Sequence, residues 1–367
     1  MKTSEINALK HLRKLLVEND YYLLMNILNS KLHMNPWTLC PINKIERLPL
    51  KQQKLLKLFH LGVEVEEIDD IMDKSTVEVF LDMGLLERRG NAYIANKYTI
   101  YPYNGLFIIV EKRNQGKMGK LDQVWFGTDS IYIAKLLPFV RNKRVLDLGA
   151  GSGILGLILA SRGAHVTSVE LNPKAYKVIK WNAQLNDLED NVEVFLGDLF
   201  EPVKNRKYHF VVSNPPFLPL PDTGDDKFLC GAAGEDGLDV LRRILNEIDY
   251  FLEASGKALF IAGGFGDNVK PYVFEELEEL VKKTGLNINL ILITQTKAIQ
   301  ELKRLKSELP EVENNLEVIS KKIEGSNIDY YSFIISLSKS DAYKGQVKLL
   351  KCHNTLLDSF REMKEKY

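Results

Sequence analysis

From Val124 to Thr294, short apolar segments alternate with helical segments. The strand-like stretches are Arg144–Leu148, His165–Glu170, Val192–Leu196, His209–Ser213, Lys257–Ala262 and Asn287–Thr294. Helical patterns cover Ser130–Leu137, Gly153–Ser161, Pro173–Asn186, Gly237–Leu252 and Lys270–Thr284. A strand that reaches its neighbour through a helix returns to the same end of the sheet, so such strands run parallel. The alternation therefore predicts an α/β fold with a parallel sheet and helices on both faces. Tyr330–Ser338 is predicted as a last, antiparallel edge strand.

Ligands of open α/β sheets bind at the carboxyl ends of the strands. At the first of these ends stands Asp147-Leu148-Gly149-Ala150-Gly151-Ser152-Gly153, a glycine-rich turn that opens a helix. Gly151, Gly153 and Gly156 also match the dinucleotide fingerprint, which by itself is weak. Asp147 argues against it, because a carboxylate there repels a pyrophosphate and suits a cationic group. Glu170, ending the next strand before Leu171-Asn172, is placed to accept from two ribose hydroxyls. Asp198-Leu199, ending the third, is placed to accept from an exocyclic amine.

The fourth strand ends in Asn214-Pro215-Pro216-Phe217. The side-chain oxygen of Asn214 and the main-chain carbonyl of Pro215 can each accept one N–H of a planar NH2 group, which aims its lone pair. The prolines stiffen the loop and remove competing donors. Phe217 offers a face for stacking. Such chemistry needs neither a strong base nor a metal, and no cluster of His, Cys and acids suggests one. The insert Leu218–Gly231 reads as a lid.

Ahead of this region, residues 1–34 read as one helix, broken by Asn35-Pro36-Trp37. A second helix is predicted over Leu50–Leu61, with shorter ones over Val65–Met72 and Ser75–Met83. A turn at Arg89-Gly90-Asn91 and strands at Tyr98–Tyr103 and Leu106–Glu111 follow. Helices followed by a small hairpin are similar to a winged helix-turn-helix. Arg88, Arg89, Lys97, Lys112, Arg113, Lys117 and Lys120 form either a solvated rim or a nucleic-acid contact. Lys297–Asn315 is charged and helical, interrupted by Pro310, and Lys348–Lys366 reads as a basic amphipathic helix. The predicted organisation is a helical, winged-helix-like recognition domain over residues 1–120, the α/β domain over 121–340, and a helical tail over 341–367.

The 367 residues carry 49 basic and 49 acidic side chains, which gives no overall pull toward nucleic acid. Cys40, Cys230 and Cys352 are too few and too scattered for a disulfide framework or a zinc site, which fits a reducing cytosol. No signal peptide is expected, and no run approaches the ~18 apolar residues of a membrane span.

The glycine turn, with Asp147, Glu170 and Asp198, resembles the class I methyltransferases, and the likeness covers roughly Val124 to Thr294. It implies a Rossmann-like sheet and S-adenosyl-L-methionine as cofactor, with S-adenosyl-L-homocysteine as product. The cofactor contacts it implies are Thr128, Asp147, Gly149, Ala150, Gly151, Ser152, Gly153, Glu170, Leu171, Asn172, Asp198, Leu199 and Asn214. The catalytic residues it implies are Asn214, Pro215, Pro216 and Phe217. Phe126-Gly127-Thr128-Asp129-Ser130, taken with the glycine turn and the Asn-Pro-Pro-Phe loop, resembles the methyltransferase small domain group, which includes ribosomal RNA methyltransferases. Gly234-Glu235-Asp236-Gly237-Leu238-Asp239 instead resembles the release-factor glutamine methyltransferases, in which the loop usually ends in Tyr. The expected activity is N-methylation of a planar amide, first a protein glutamine-type amide. An RNA base is the alternative, and a small molecule the third.

Overall fold

The computed structural model describes residues 1–29, 39–112, 123–124, 126–220, 231–339 and 345–351. The expected break at Asn35-Pro36-Trp37 and the charges of Arg113, Lys117 and Lys120 lie outside the described residues, as do Cys230 and Cys352.

The N-terminal helix is two helices, α1 (Thr3–Glu18) and α2 (Tyr21–Leu28). Apolar spacing continues across the joint, but Asp20 adopts a left-handed conformation with φ 56° and turns the chain. A single turn, α3 (Ile42–Ile45), precedes α4 (Leu50–Leu56), which runs into a π-helical turn over Lys57–Leu61. Val65–Met72 is not a helix. It begins with a two-residue strand, β1 (Val65–Glu66), and continues as turn. Val65 is buried and Glu66 exposed, an alternation too short to separate from a helical pattern. Helix α5 (Lys74–Met83) starts at Asp73, whose Oδ1 accepts from the Thr76 N–H at 2.9 Å. Strands β2 (Glu87–Arg89) and β3 (Ala92–Ile94) form a hairpin on which β1 pairs, and β4 (Tyr98–Tyr103) and β5 (Leu106–Glu111) form a second. The N-terminal part thus runs helix, strand, turn, helix and hairpin.

The α/β part begins with α6 (Thr128–Ala134) and β6 (Arg144–Leu148). Then follow α7 (Ile154–Ser161), β7 (His165–Glu170), α8 (Pro173–Leu185), β8 (Val192–Leu196) and β9 (Tyr208–Ser213). Next come α9 (Asp239–Phe251), β10 (Leu252–Gly266), α10 (Val273–Thr284) and β11 (Asn287–Lys297). Helices α11 (Ala298–Glu308) and α12 (Glu313–Ile323) lead to β12 (Asp329–Ser338) and β13 (Val347–Lys351). The sheet order is β13-β11-β12-β10-β9-β6-β7-β8. Strands β6 to β10 are mutually parallel, and β12 is antiparallel to both of its neighbours.

Two expectations are corrected here. Tyr330–Ser338 is not an edge strand but lies between β10 and β11. Its residues are buried on both faces of the sheet, as an interior strand requires. The stretch from Lys348 does not begin as a helix: residues 347–351 form edge strand β13, parallel to β11, and the remainder lies outside the described residues. Val347 and Leu349 pack inward while Lys348 and Lys351 are exposed, a period of two that five residues state only weakly.

The sheet divides the core. Val145 and Val166 face one apolar cluster with α7, α8, α1 and the β4–β5 hairpin. Leu146 and Leu148 face the other, with α9 and α10. A third cluster joins α11 and α12 to Leu220, Phe265 and Tyr330. The β4–β5 hairpin is docked by two buried amides of α8. Asn186 exchanges hydrogen bonds with Phe107 at 2.8 and 2.7 Å, and Asn182 with Ile109 at 2.7 and 3.0 Å. These side chains satisfy a strand edge that would otherwise bury unpaired backbone groups.

Candidate functional site

A cavity of about 340 Å³ opens at the carboxyl ends of β6, β7, β8 and β9, within the range of ligand pockets. One wall is the glycine turn. Gly149, Gly151 and Gly153 have φ of 60°, 58° and 80°, the left-handed region that side chains with a Cβ rarely adopt. The turn doubles back so that the Gly151 N–H donates to Glu170 Oε2 at 2.7 Å. Glu170 Oε1 accepts from the Asn172 N–H at 2.8 Å, and Asn172 caps α8 through Lys174. Asn182 reaches the same turn from behind, donating to the Ser152 carbonyl at 2.9 Å.

Asp147 is 1% exposed, and its Oδ2 accepts from the Gly156 N–H at 2.9 Å. Burial pushes its carboxyl up to about 7, and the nearby Glu170 adds to the rise. Glu170 is itself raised by burial, against the pull of its backbone donors. Two carboxylates facing one cavity in poor solvation form a site whose charge a cation would complete. Asp198, at the third strand end, is engaged by Arg243 of α9 at 2.6 Å, and both line the cavity.

The opposite wall holds Asn214, Pro215 and Pro216. Asn214 Nδ2 donates to Asp129 Oδ2 at 2.7 Å and to Ser130 Oγ at 3.1 Å. A carboxylate only accepts, so this contact fixes the amide orientation and turns Oδ1 away from Asp129. That oxygen is buried with no hydrogen-bond partner among the described residues, and so is Ser152 Oγ. An orphaned buried acceptor in a cavity wall has desolvation to recover and calls for a ligand donor.

The cavity gathers most of the residues singled out in the sequence: Asp147, Gly149, Ala150, Gly151, Ser152, Glu170, Leu171, Asn172, Asp198, Leu199, Asn214, Pro215 and Pro216. Thr128, Gly153 and Phe217 do not line it. Thr128 opens α6, Gly153 precedes α7 with Ile179 packed against it, and Phe217 packs toward the α9–α10 core. Sequence reasoning missed Asp129 and Ser130 as anchors of Asn214. Their signal was position, since both stand in the Phe126–Ser130 stretch, in which only Thr128 had been given a role. It also missed Gln123, Val240, Val312 and Asn315 on the walls. Residues 221–230 of the expected lid lie outside the described residues.

The Gly234–Asp239 segment is chiefly a brace. Gly234 lines the cavity, but Asp236 accepts from the Leu238 N–H at 3.1 Å and holds Arg242 at 3.0 Å. Arg242 also takes Asp239 at 3.2 Å and Glu276 of α10 at 2.8 Å. Among the described residues no group of His, Cys, Asp and Glu has the arrangement of a metal site, and no helix is long and apolar enough to cross a membrane.

Comparison with known proteins bears directly on this site. Residues 122–284 match the methyltransferase small domain family. A protein of Methanocaldococcus jannaschii named as an N5-glutamine methyltransferase is 39% identical over 132 residues, 35% of this chain and 66% of that protein. The ribosomal protein uL3 glutamine methyltransferase of Bradyrhizobium diazoefficiens is 31% identical over 244 residues, 63% of this chain and 73% of that protein. The tRNA1(Val) (adenine(37)-N6)-methyltransferase of Klebsiella pneumoniae is 40% identical over 97 residues, 25% of this chain and 40% of that protein. This chain thus spans less than two thirds of the length of the first and third of these relatives.

Proposed function

This chain belongs to the S-adenosylmethionine-dependent methyltransferases of the methyltransferase small domain type, and from that premise we propose that it methylates the side-chain amide nitrogen of a protein glutamine. The residues present fit the cofactor. The buried Asp147 carboxylate suits its ammonium, Glu170 its ribose hydroxyls, and the Asp198–Leu199 end its adenine. When bound, S-adenosylmethionine supplies a methyl group on a cationic sulfur and leaves as S-adenosylhomocysteine.

The chain's own part is positioning. An amide NH2 is a poor nucleophile because its lone pair is delocalised into the carbonyl. Asn214 Oδ1 accepts one of its N–H bonds and the Pro215 carbonyl the other. That leaves the nitrogen lone pair pointing along the displacement axis. Both acceptors strengthen as positive charge grows on nitrogen, so they favour the transition state over the ground state. Asp129 and Ser130 keep the Asn214 amide from flipping, which pre-organises the acceptor. The nitrogen's proton becomes acidic as its lone pair enters the new bond, and it leaves to solvent without a dedicated base. The observation that carries this reading is the buried, unpartnered Oδ1 of Asn214, a residue that lines the same cavity as Asp147 and Glu170.

A protein amide is placed first because the relatives of M. jannaschii and B. diazoefficiens bear that activity in their names. Transfer to the exocyclic amine of an RNA adenine is the second reading, supported by the K. pneumoniae relative and the winged-helix-like N-terminal part. The wing's charges favour it weakly. Arg89 is held by Glu64 at 3.2 Å and by Glu87 at 3.8 Å, and Arg88 lies over the Tyr93 ring. A labelled-methyl assay on cell lysate, split into protein, RNA and small-molecule fractions, tests the choice. Label on a glutamine of a protein supports the proposal, and label only in RNA or small molecules overturns it.

Asp147 adds a pH dependence. A carboxyl held near 7 is mostly protonated at lower pH and then offers no charge to an ammonium. Cofactor binding selects the ionised form, so affinity rises as pH climbs through that value and levels off above it. S-adenosylhomocysteine is expected to bind about tenfold more tightly near pH ~8 than near pH ~6, a one-unit weakening for each unit below the raised value. Calorimetry at the two pH values checks this. An Asp147→Asn variant is expected to lose the dependence, and a flat profile for the unaltered protein would remove Asp147 from the ammonium site.

A further inference from the structure

We propose that the helical hairpin α11–α12 is the specificity-determining wall of this site, selecting the acceptor through Val312 and Asn315; this rests on the cavity being the methyl-transfer site. The cofactor end and the Asn214 loop fall within residues 122–284, the part that matches the family. The hairpin lies beyond it, inserted between β11 and β12. Relatives of this chain are named for amide and for adenine acceptors. The hairpin lies outside the residues that match the family and still reaches the cavity, so it is placed to contribute to the choice of acceptor.

Its contact is made by the turn between the helices and by the first turn of α12. Pro310–Val312 is a 3-10 turn, and Val312 and the half-buried Asn315 line the cavity together with Pro216, Leu220 and Ala232. Of these, Leu220 packs in the same apolar cluster as the hairpin, and Pro216 follows Asn214 by two residues in the loop assigned to the acceptor. An apolar Val beside an amide-bearing Asn matches a side chain with a methylene stem and a planar amide head, which is the chemistry of glutamine.

The hairpin is built to hold that position. Leu302, Leu305, Leu316 and Ile319 pack with Leu220 and Tyr330 in one apolar cluster. Lys306 pairs with Glu317 across the two helices, and Lys322 pairs with Glu235 beside Gly234. Arg304 is fixed by Glu301 and Glu308 at 2.6 Å each. Tyr330 donates to the Phe217 carbonyl at 3.4 Å, which ties the base of the hairpin to the loop carrying Asn214. A wall tied to the reacting loop moves with it, so acceptor shape is read at the point of reaction.

The test uses the full-length chain with Val312→Phe, which fills the wall, and Asn315→Ala, which is half-buried and carries less risk to folding. The acceptor is whichever protein or RNA fraction the unaltered enzyme labels. Each variant is first checked by S-adenosylhomocysteine calorimetry, where affinity within about twofold of the unaltered chain reports an intact cofactor end. Val312→Phe is expected to raise KM for that acceptor at least ~10-fold and Asn315→Ala ~3–10-fold, with kcat within ~3-fold, the pattern of lost acceptor binding. Unchanged KM in both variants, or a fall in kcat alone, overturns the specificity role while leaving the amide reading intact. Label in RNA rather than protein overturns the amide reading, and the KM comparison is then made on RNA. Absence of label in every fraction overturns both.

Discussion

Asn214→Ala is expected to lower kcat about 10²–10³-fold, the usual loss when one pre-organised hydrogen-bonding group facing the developing charge is removed. S-adenosylhomocysteine affinity is expected to stay within about threefold, because the carboxylates proposed to hold the cofactor are on other strands. The geometry explains why so much rests on one oxygen. Asn214 Nδ2 is committed to Asp129 at 2.7 Å and to Ser130 at 3.1 Å, and Oδ1 is buried without a partner. Two companion variants separate this account from a merely structural one. Asn214→Asp keeps an acceptor of the same shape but sets a second carboxylate against Asp129, so it is expected to be no better than Ala. Asp129→Ala frees the amide to rotate and is expected to lose about tenfold in kcat, less than removal of the oxygen itself. Single-turnover transfer to the labelled acceptor reads all three. An Asn214→Ala enzyme that turns over at the unaltered rate sinks the assignment.

The parallel part of the fold was legible because short β-rich segments alternate with helical ones; β6 and β7 are buried within the sheet, while the edge strand β8 is only partly buried. Arg144–Leu148, His165–Glu170 and Val192–Leu196 appear in the structure with the bounds read from the sequence. What misled was periodicity over too few residues. Val65–Glu66 and Val347–Lys351 are short strands whose alternation is indistinguishable from a helix turn, and Asn19–Asp20 breaks a helix without proline or glycine. The place of β12 inside the sheet is a long-range pairing that no local pattern states. The site was legible to the same degree. Carboxylates at strand ends are found by counting along the chain, and Asp147, Glu170 and Asp198 all reach one cavity. The partners that tune them come from elsewhere in sequence. Asp129 and Ser130 lie about eighty residues before Asn214, and Arg243 lies 45 residues beyond Asp198. Phe217 shows the limit of reading a motif residue by residue: it does not line the cavity and lies half-buried against the α9–α10 cluster.

The same packing makes Gly237 a point where fold and function meet, and Gly237→Ala is expected to damage both. Its φ is 82°, so a side chain there carries about 1–2 kcal/mol of left-handed strain. Strain alone would cost stability and nothing else. A Cβ at this position, however, would stand 2.5 Å from the Phe217 carbonyl oxygen and 3.3 Å from that of Gly263. Both are backbone atoms, so no rotamer change relieves the contact, and the chain after Pro216 has to move. A displacement near 1 Å in a positioning loop costs on the order of 10²-fold in rate, and that is the expected loss in kcat. Gly285→Ala supplies the comparison. Gly285 has φ 74° at the end of α10, and a Cβ there meets nothing within 4 Å. It carries the strain without the contact, so it is expected to lower Tm by a few degrees, about the cost of that strain, and to leave kcat unchanged. Thermal unfolding and methyl transfer measured on both variants separate the two effects. If Gly237→Ala behaves as Gly285→Ala does, the Asn214 loop is not supported from below by the α9 turn, and its position depends on Asp129, Ser130 and Tyr330 alone.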